Sequence, residues 1–197
     1  YILSKKHHLL TIIDNTFLTP YLSTPLEDGA DIVLHSATKY IGGHNDVLAG
    51  VVTVKDANLA EKLGEFHNMI GATLSPFDSY LLQRGLKTLH LRMDRSEYNA
   101  QLLAKRCYNL KGIDQVLYCG RTGMMSLRLN KNYKADKFLE NLKVCIFAES
   151  LGGTETFITF PYTQTHVDMP DDEKEKRGID EHLLRLSIGV EDYEDIE

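Results

Sequence analysis

Between Asp31 and Asp46 the chain reads DIVLHSATKYIGGHND. A β-branched apolar run ends in Ser36, Thr38 and Lys39, and a Gly42-Gly43 turn follows. An amine beside two hydroxyls at a strand end suits the capture of a carbonyl compound that also carries an anion. Small neighbours (Ser36, Ala37, Thr38) after a buried strand can strip water from the amine and free it as a nucleophile toward a carbonyl. The period of two along an extended segment puts Ser36 and Thr38 on one side, where two hydroxyls and nearby backbone N–H groups can take a phosphate. The spacing is not that of a P-loop, because GxxxxGK is absent and the lysine precedes the glycines, nor is it a dinucleotide-binding fingerprint. Most lysines are solvated surface charges, so the setting alone singles out Lys39.

A second stretch, Leu9 to Thr16 (LLTIIDNT), places Asp14 at the end of an apolar strand. A carboxylate there is costly to bury unless paired. Two readings stand open: a turn cap formed with Asn15 and Thr16, or a carboxylate facing a cationic ring nitrogen. A pyridinium kept protonated by a carboxylate is an electron sink, the arrangement that pyridoxal-phosphate chemistry needs. Arg185 interrupts a third apolar run, LLRLSI. A charge inside such a strand calls for an anion, and the planar guanidinium fork suits a carboxylate from a substrate or from the protein itself.

Strands are expected at 9–14, 31–35 and 47–54, with a short helical turn closed by Gly29 between the first two. Asp56 caps a helix to about Met69, and Ser75-Pro76 starts another that Gly85 interrupts. Strand, short helix, strand, strand, helix is an α/β pattern, and ligands of such sheets bind at the carboxyl ends of strands. A long helix over 92–110 follows. Strands are expected at 115–118, 124–129, 145–148, 156–160 and 183–188, with a helix over 133–142. This α+β segment reads as a second domain, with the boundary near Leu89. The polar run Pro170 to Arg177 reads as a solvated helix or mobile loop.

The chain has 197 residues and a net charge of −6, which argues against general nucleic-acid affinity, and no basic stripe or aromatic platform offsets it. Its apolar runs are too short to span a bilayer. Cys107, Cys119 and Cys145 are widely spaced, without zinc spacing, and imply a reduced cytoplasmic chain. His7 and His8 lack a third ligand, so no metal is expected. The chain starts at Tyr1, without Met, and stops in an acidic run, EDYEDIE, that reads as the first turn of a helix. The expectation is a piece of a longer protein.

The runs DNTFLTP, HSATKYIGGHND, SPFDSYLLQRGLKTL, RMDRSEYNAQ, AESLGGTETF, TQTH and LLRLSIGVED resemble, in order, the cystathionine γ-synthase/γ-lyase family. The resemblance covers essentially the whole chain. It implies a fold-type I (aspartate-aminotransferase-like) α/β enzyme using pyridoxal 5'-phosphate, with 1–89 the latter part of the cofactor domain and 90–197 a C-terminal domain truncated at its end. It makes Lys39 the lysine that binds the cofactor carbonyl and later shuttles a proton. Asp14 pairs with the ring nitrogen, and Ser36 and Thr38 bind the phosphate. Arg185 grips the substrate α-carboxylate, Ser150 positions the same group or the lysine, and Thr165 sits beside Arg185. Glu149 could receive the distal ammonium of cystathionine or cysteine.

The resemblance further implies a cytoplasmic homotetramer, a dimer of dimers, acting on small amino acids. It acts by γ-replacement of an activated homoserine by cysteine, or by γ-elimination from cystathionine. Cystathionine β-lyase and O-acetylhomoserine sulfhydrylase activities stay open. The family's N-terminal portion, with its phosphate loop and stacking tyrosine, is not in this sequence. The chain by itself is therefore expected to form an incomplete site, and a non-catalytic assembly module is the rival reading.

Overall fold

The computed structural model describes residues 2–197, so Tyr1 lies outside the described residues. The chain divides into two compact units, Tyr1–His90 and Leu91–Glu197.

The first unit runs α1 (Ile2–Lys6), β1 (Ile12–Asp14), α2 (Thr19–Leu22), α3 (Pro25–Asp28), β2 (Ile32–Ser36), β3 (Gly50–Val54), α4 (Ala57–Ile70) and α5 (Pro76–Leu86). Its three-stranded sheet has the order β1-β2-β3, with β1 parallel and β3 antiparallel to β2. The β-branched run makes β2 the central strand, with Ile32, Val33 and His35 buried. Thr11 brackets its start: Thr11 N and Oγ1 donate to Asp31 Oδ2 at 2.7 and 2.8 Å.

Both flanking strands are shorter than expected. Leu9 and Leu10 stay exposed, and Thr11 O collects the N–H groups of both Asp31 and Ile32, so regular pairing begins only at Ile12. Residues 47–49 brace the lysine turn instead of extending β3. Thr38 N donates to Ala49 O at 3.1 Å, and Ala49 N donates to Thr38 Oγ1 at 3.0 Å.

The caps fall where expected. Asp56 accepts from Leu59 N at 2.8 Å, Ser75 Oγ accepts from Asp78 N at 3.1 Å with Pro76 beginning α5, and Gly29 stops α3 at φ 106°. Gly85 is a correction, because α5 runs straight through it. A Cβ at this position would lie 2.4 Å from Gly42 O and 2.6 Å from Ile41 O. The glycine is there for close approach to the turn after Lys39. Ala37, Ile41, Val47 and Leu82 form the small core at this seat.

The second unit begins within α6 (Leu89–Cys107). It continues β4 (Ile113–Leu117), β5 (Met124–Leu129), α7 (Ala135–Leu139), β6 (Ile146–Phe147), β7 (Phe157–Thr159), α8 (Asp171–Lys176), β8 (Leu183–Ser187) and α9 (Tyr193–Ile196). Its five-stranded sheet has the order β4-β5-β8-β7-β6, antiparallel except for β6 with β7. Ala100, Leu103, Ala104 and Cys107 of α6 share one core with Met125, Leu127, Leu184 and Leu186. The period of two then puts Leu183 and Arg185 on the other face of β8. The charged run around α8 is the solvated helix expected, except at Lys174. Lys174 is 6% exposed, with Nζ 4.7 Å from the centroid of the Tyr162 ring and 3.5 Å from Asp171. The aromatic face and the carboxylate together replace the water this ammonium gives up.

Candidate active site

In the first unit the parallel pairing of β1 and β2 brings their carboxyl ends together, so Asp14 and Ser36 close adjacent strands. The chain then folds back: Lys39 N donates to Ser36 O at 3.1 Å, Gly42 N to Ala37 O at 2.8 Å and Gly43 N to Lys39 O at 2.8 Å. Ala37, Tyr40 and Ile41 are buried under this turn, which leaves Lys39 half-buried upon it. Among the described residues no carboxylate pairs with the Lys39 amine.

Thr38 therefore lies in a turn, and the extended geometry expected for Ser36 and Thr38 ends at Ser36. The Thr38 hydroxyl donates to Ala49 O at 3.3 Å. A hydroxyl has one proton, so donation to a phosphate requires Thr38 to release that carbonyl. Ser36 is half-buried at the strand end.

Asp14 is exposed, so it escapes the expected burial cost. Thr16 N donates to its Oδ1 at 3.0 Å. The Thr16 hydrogen bonds, side chain first, hold the Asp14 carboxyl below its ordinary value against slight desolvation, and His35 adds to this. The turn cap thus keeps Asp14 ionised, which is the charge a cationic ring nitrogen requires. His35 is buried, and burial pushes its pKa down while Asp14 pulls it up. Asn15 Nδ2 lies 3.3 Å from His35 Nε2 and donates to Thr19 O and Ser23 O, both at 3.0 Å. The DNT run signals the cap at Thr16, whereas nothing local to the β-branched run signals a role for His35.

In the second unit Arg185 Nη2 donates to Glu149 O at 3.1 Å and to Thr159 Oγ1 at 3.0 Å. Its Nε is buried and has no hydrogen-bond partner among the described residues. Burial lowers the guanidinium pKa, and the Glu149 carboxylate partly restores it. Glu149 is exposed and Ser150 half-buried. Thr165 does not join this group: it is exposed, and its Oγ1 lies 2.8 Å from His166 Nδ1. The threonine at Arg185 is Thr159, its register partner across β7 and β8. TFITF announced a strand, but no local pattern announces the strand it pairs with.

These donor sets fit a pyridoxal-phosphate-like group and an amino-acid carboxylate. Lys39 is available for a carbonyl, Ser36 for an anion, with Thr38 once its hydroxyl leaves Ala49 O, and ionised Asp14 for a cationic ring, while Arg185 keeps an orphaned donor. Among the described residues no three His, Cys, Asp or Glu side chains are grouped to hold a metal, and no helix is long and apolar enough to cross a membrane.

A family model described as "Cys/Met metabolism PLP-dependent enzyme" matches residues 2–197. The cystathionine gamma-synthase/O-acetylhomoserine (thiol)-lyase of Bacillus subtilis is 55% identical over 194 residues, covering 98% of this chain and 52% of that protein. The cystathionine gamma-synthase of Haemophilus influenzae is 53% identical over 194 residues, covering 98% and 53%. The crystal structure of cystathionine gamma-lyase from Lactobacillus plantarum complexed with L-serine superposes with a TM-score of 0.94 at 40% identity, covering 99% of this chain and 55% of that one. The chain thus spans about half the length of the curated relatives it matches. The fold is that of the fold-type I enzymes, and a match across all described residues makes the assignment plain: the chain belongs to the pyridoxal-phosphate-dependent enzymes of cysteine and methionine metabolism.

Proposed function

We propose that the protein to which this chain belongs is a pyridoxal-phosphate-dependent transsulfuration enzyme that makes or breaks a C–S bond of a cystathionine-like amino acid. The observation that carries this reading is Lys39, half-buried and without a carboxylate partner among the described residues, on a turn that follows the end of β2. Asp14 ends the neighbouring parallel strand as an ionised carboxylate.

When bound, the cofactor supplies a protonated ring that withdraws electrons from the substrate Cα. The Lys39 amine would hold the cofactor carbonyl and, once released, carry the Cα proton on Nζ. Asp14 would keep its charge beside the ring nitrogen, and the Ser36 and Thr38 hydroxyls would donate to the phosphate. Arg185 has an unused Nε edge on a guanidinium held by Thr159 and Glu149 O, and this edge would take the substrate α-carboxylate. Ser150 would help to position that carboxylate. The exposed Glu149 carboxylate would attract the distal ammonium of the substrate.

γ-Replacement, joining cysteine to an activated homoserine, is preferred because the B. subtilis and H. influenzae relatives carry synthase names. γ-Elimination from cystathionine is the second reading, supported by the lyase name of the L. plantarum structure. A cytoplasmic homotetramer is part of the same proposal and rests on the resemblance.

Full-length protein incubated with pyridoxal phosphate, reduced with borohydride and mapped by peptide mass should carry the label on Lys39. A label on another lysine, or no visible cofactor band, overturns the reading. Product analysis with cysteine plus an acylated homoserine, against cystathionine alone, separates replacement from elimination.

A further inference from the structure

The parallel ladder between β1 and β2 does not simply stop at Asp14. Asn15 N donates to Leu34 O at 2.9 Å, so the next rung should run from Ser36 N to Asn15 O. That carbonyl turns to Thr19 N instead, accepting from it at 2.8 Å as the chain enters α2. Ser36 N donates instead to the Thr16 hydroxyl at 2.8 Å. A side chain has replaced the missing main-chain acceptor.

The same residue grips the other strand end. Thr16 N donates to Asp14 Oδ1 at 3.0 Å. One residue thus holds both strand ends, its main-chain N–H on Asp14 and its hydroxyl under Ser36 N. Valine would fill the same space but leave Ser36 N without its acceptor. Serine would keep it.

We propose that Thr16 is a positioning residue that ties the carboxylate of Asp14 to the end of β2 at Ser36, fixing the spacing between the ring-nitrogen partner and the phosphate-binding segment. This rests on the cofactor reading above. Thr16 touches neither the reacting atoms nor the substrate in this scheme. It acts through two residues that would otherwise be joined only by the backbone of separate strands. An anchor pair whose spacing drifts must be re-ordered each time the cofactor binds, and that ordering cost appears as lost affinity.

The test compares full-length wild type with Thr16→Val and Thr16→Ser. Two quantities are read: the dissociation constant for pyridoxal phosphate, and the urea midpoint without cofactor. The expected result is about a tenfold loss of cofactor affinity in Thr16→Val, the size of leaving a half-buried main-chain donor unsatisfied. Thr16→Ser should bind close to wild type. A purely structural role would lower the urea midpoint and leave the affinity of the folded protein unchanged; that outcome overturns the proposal. So does equal weakening in both variants, which would make the methyl group responsible. Should Thr16→Val not fold, Thr16→Cys is read in its place, having similar size and a weak acceptor. Failure of the wild type to take up cofactor would sink the functional reading itself, and is recognised without any variant.

Discussion

Arg185 and Thr159 face each other across β7 and β8, register partners joined by a 3.0 Å hydrogen bond from Nη2 to Oγ1. Thr159 in turn donates to Ala148 O at 2.7 Å, so the guanidinium is held while its buried Nε stays unpaired. Holding a desolvated charge this way contributes little to folding. Arg185→Met should change the urea-unfolding free energy of the cofactor-free protein by less than about 1 kcal/mol, or raise it. It should raise KM for the amino-acid substrate on the order of 100-fold. Arg185→Lys should recover little, having lost the planar fork. An unchanged KM in either variant would remove Arg185 from the site.

Gly85 and Gly64 are both helical glycines with opposite surroundings. A Cβ at Gly64 meets nothing within 4 Å, whereas one at Gly85 meets Gly42 O at 2.4 Å. Gly64→Ala should stabilise by about 0.5–1 kcal/mol through helix propensity. Gly85→Ala should destabilise by about 2–4 kcal/mol because two backbone carbonyls must move. Urea titration of the two variants tests the pair, and equal shifts would contradict the packing of α5 on the lysine turn.

Burial raises the thiol pKa of Cys107 and of Cys145 to about 11. Neither is appreciably thiolate at neutral pH, and the thiolate is the reactive form. Cys119 is exposed. Brief iodoacetamide treatment followed by peptide mapping should find Cys119 modified first. Early labelling of Cys107 would mean that the core under α6 opens readily.

Two acid-sensitive windows follow from the first unit. His35 has its folded pKa depressed by burial below the ordinary 6.5. Folding therefore favours the neutral ring, so its contribution is whole above that value and is lost progressively as pH falls below it. Asp31, held by Thr11, has a folded pKa below the ordinary 3.8, so its contribution is present above that value and lost as pH drops further. Urea midpoints measured from about pH 8 to about pH 3 should fall in both windows. His35→Gln should remove the upper decline, and Asp31→Asn should shrink the lower one. A decline that begins at the same pH in wild type and His35→Gln would refute the assignment.

Local chemistry made much of this legible. Asp56, Ser75-Pro76 and Gly29 terminate their helices for reasons contained within four residues, and the β-branched run before His35 could only be a buried strand. What escaped depended on distant partners. Residues 47–49 carry strand composition, yet Ala49 hydrogen-bonds to Thr38 instead of extending β3. Gly85 looked like a helix breaker because its reason, the Gly42 carbonyl, lies far along the chain. Thr165 is the threonine expected beside Arg185, but strand pairing places Thr159 there. Lys174 looked solvated until Tyr162 was found beneath it.

The order β1-β2-β3 leaves β1 at the sheet margin, with Ile12 58% exposed beside exposed Leu9 and Leu10. Its outer row of amides and carbonyls is a template for any extended strand, including one from another copy. Anyone producing these 197 residues by themselves should plan for clumping. A solubilising fusion at that margin is the practical remedy.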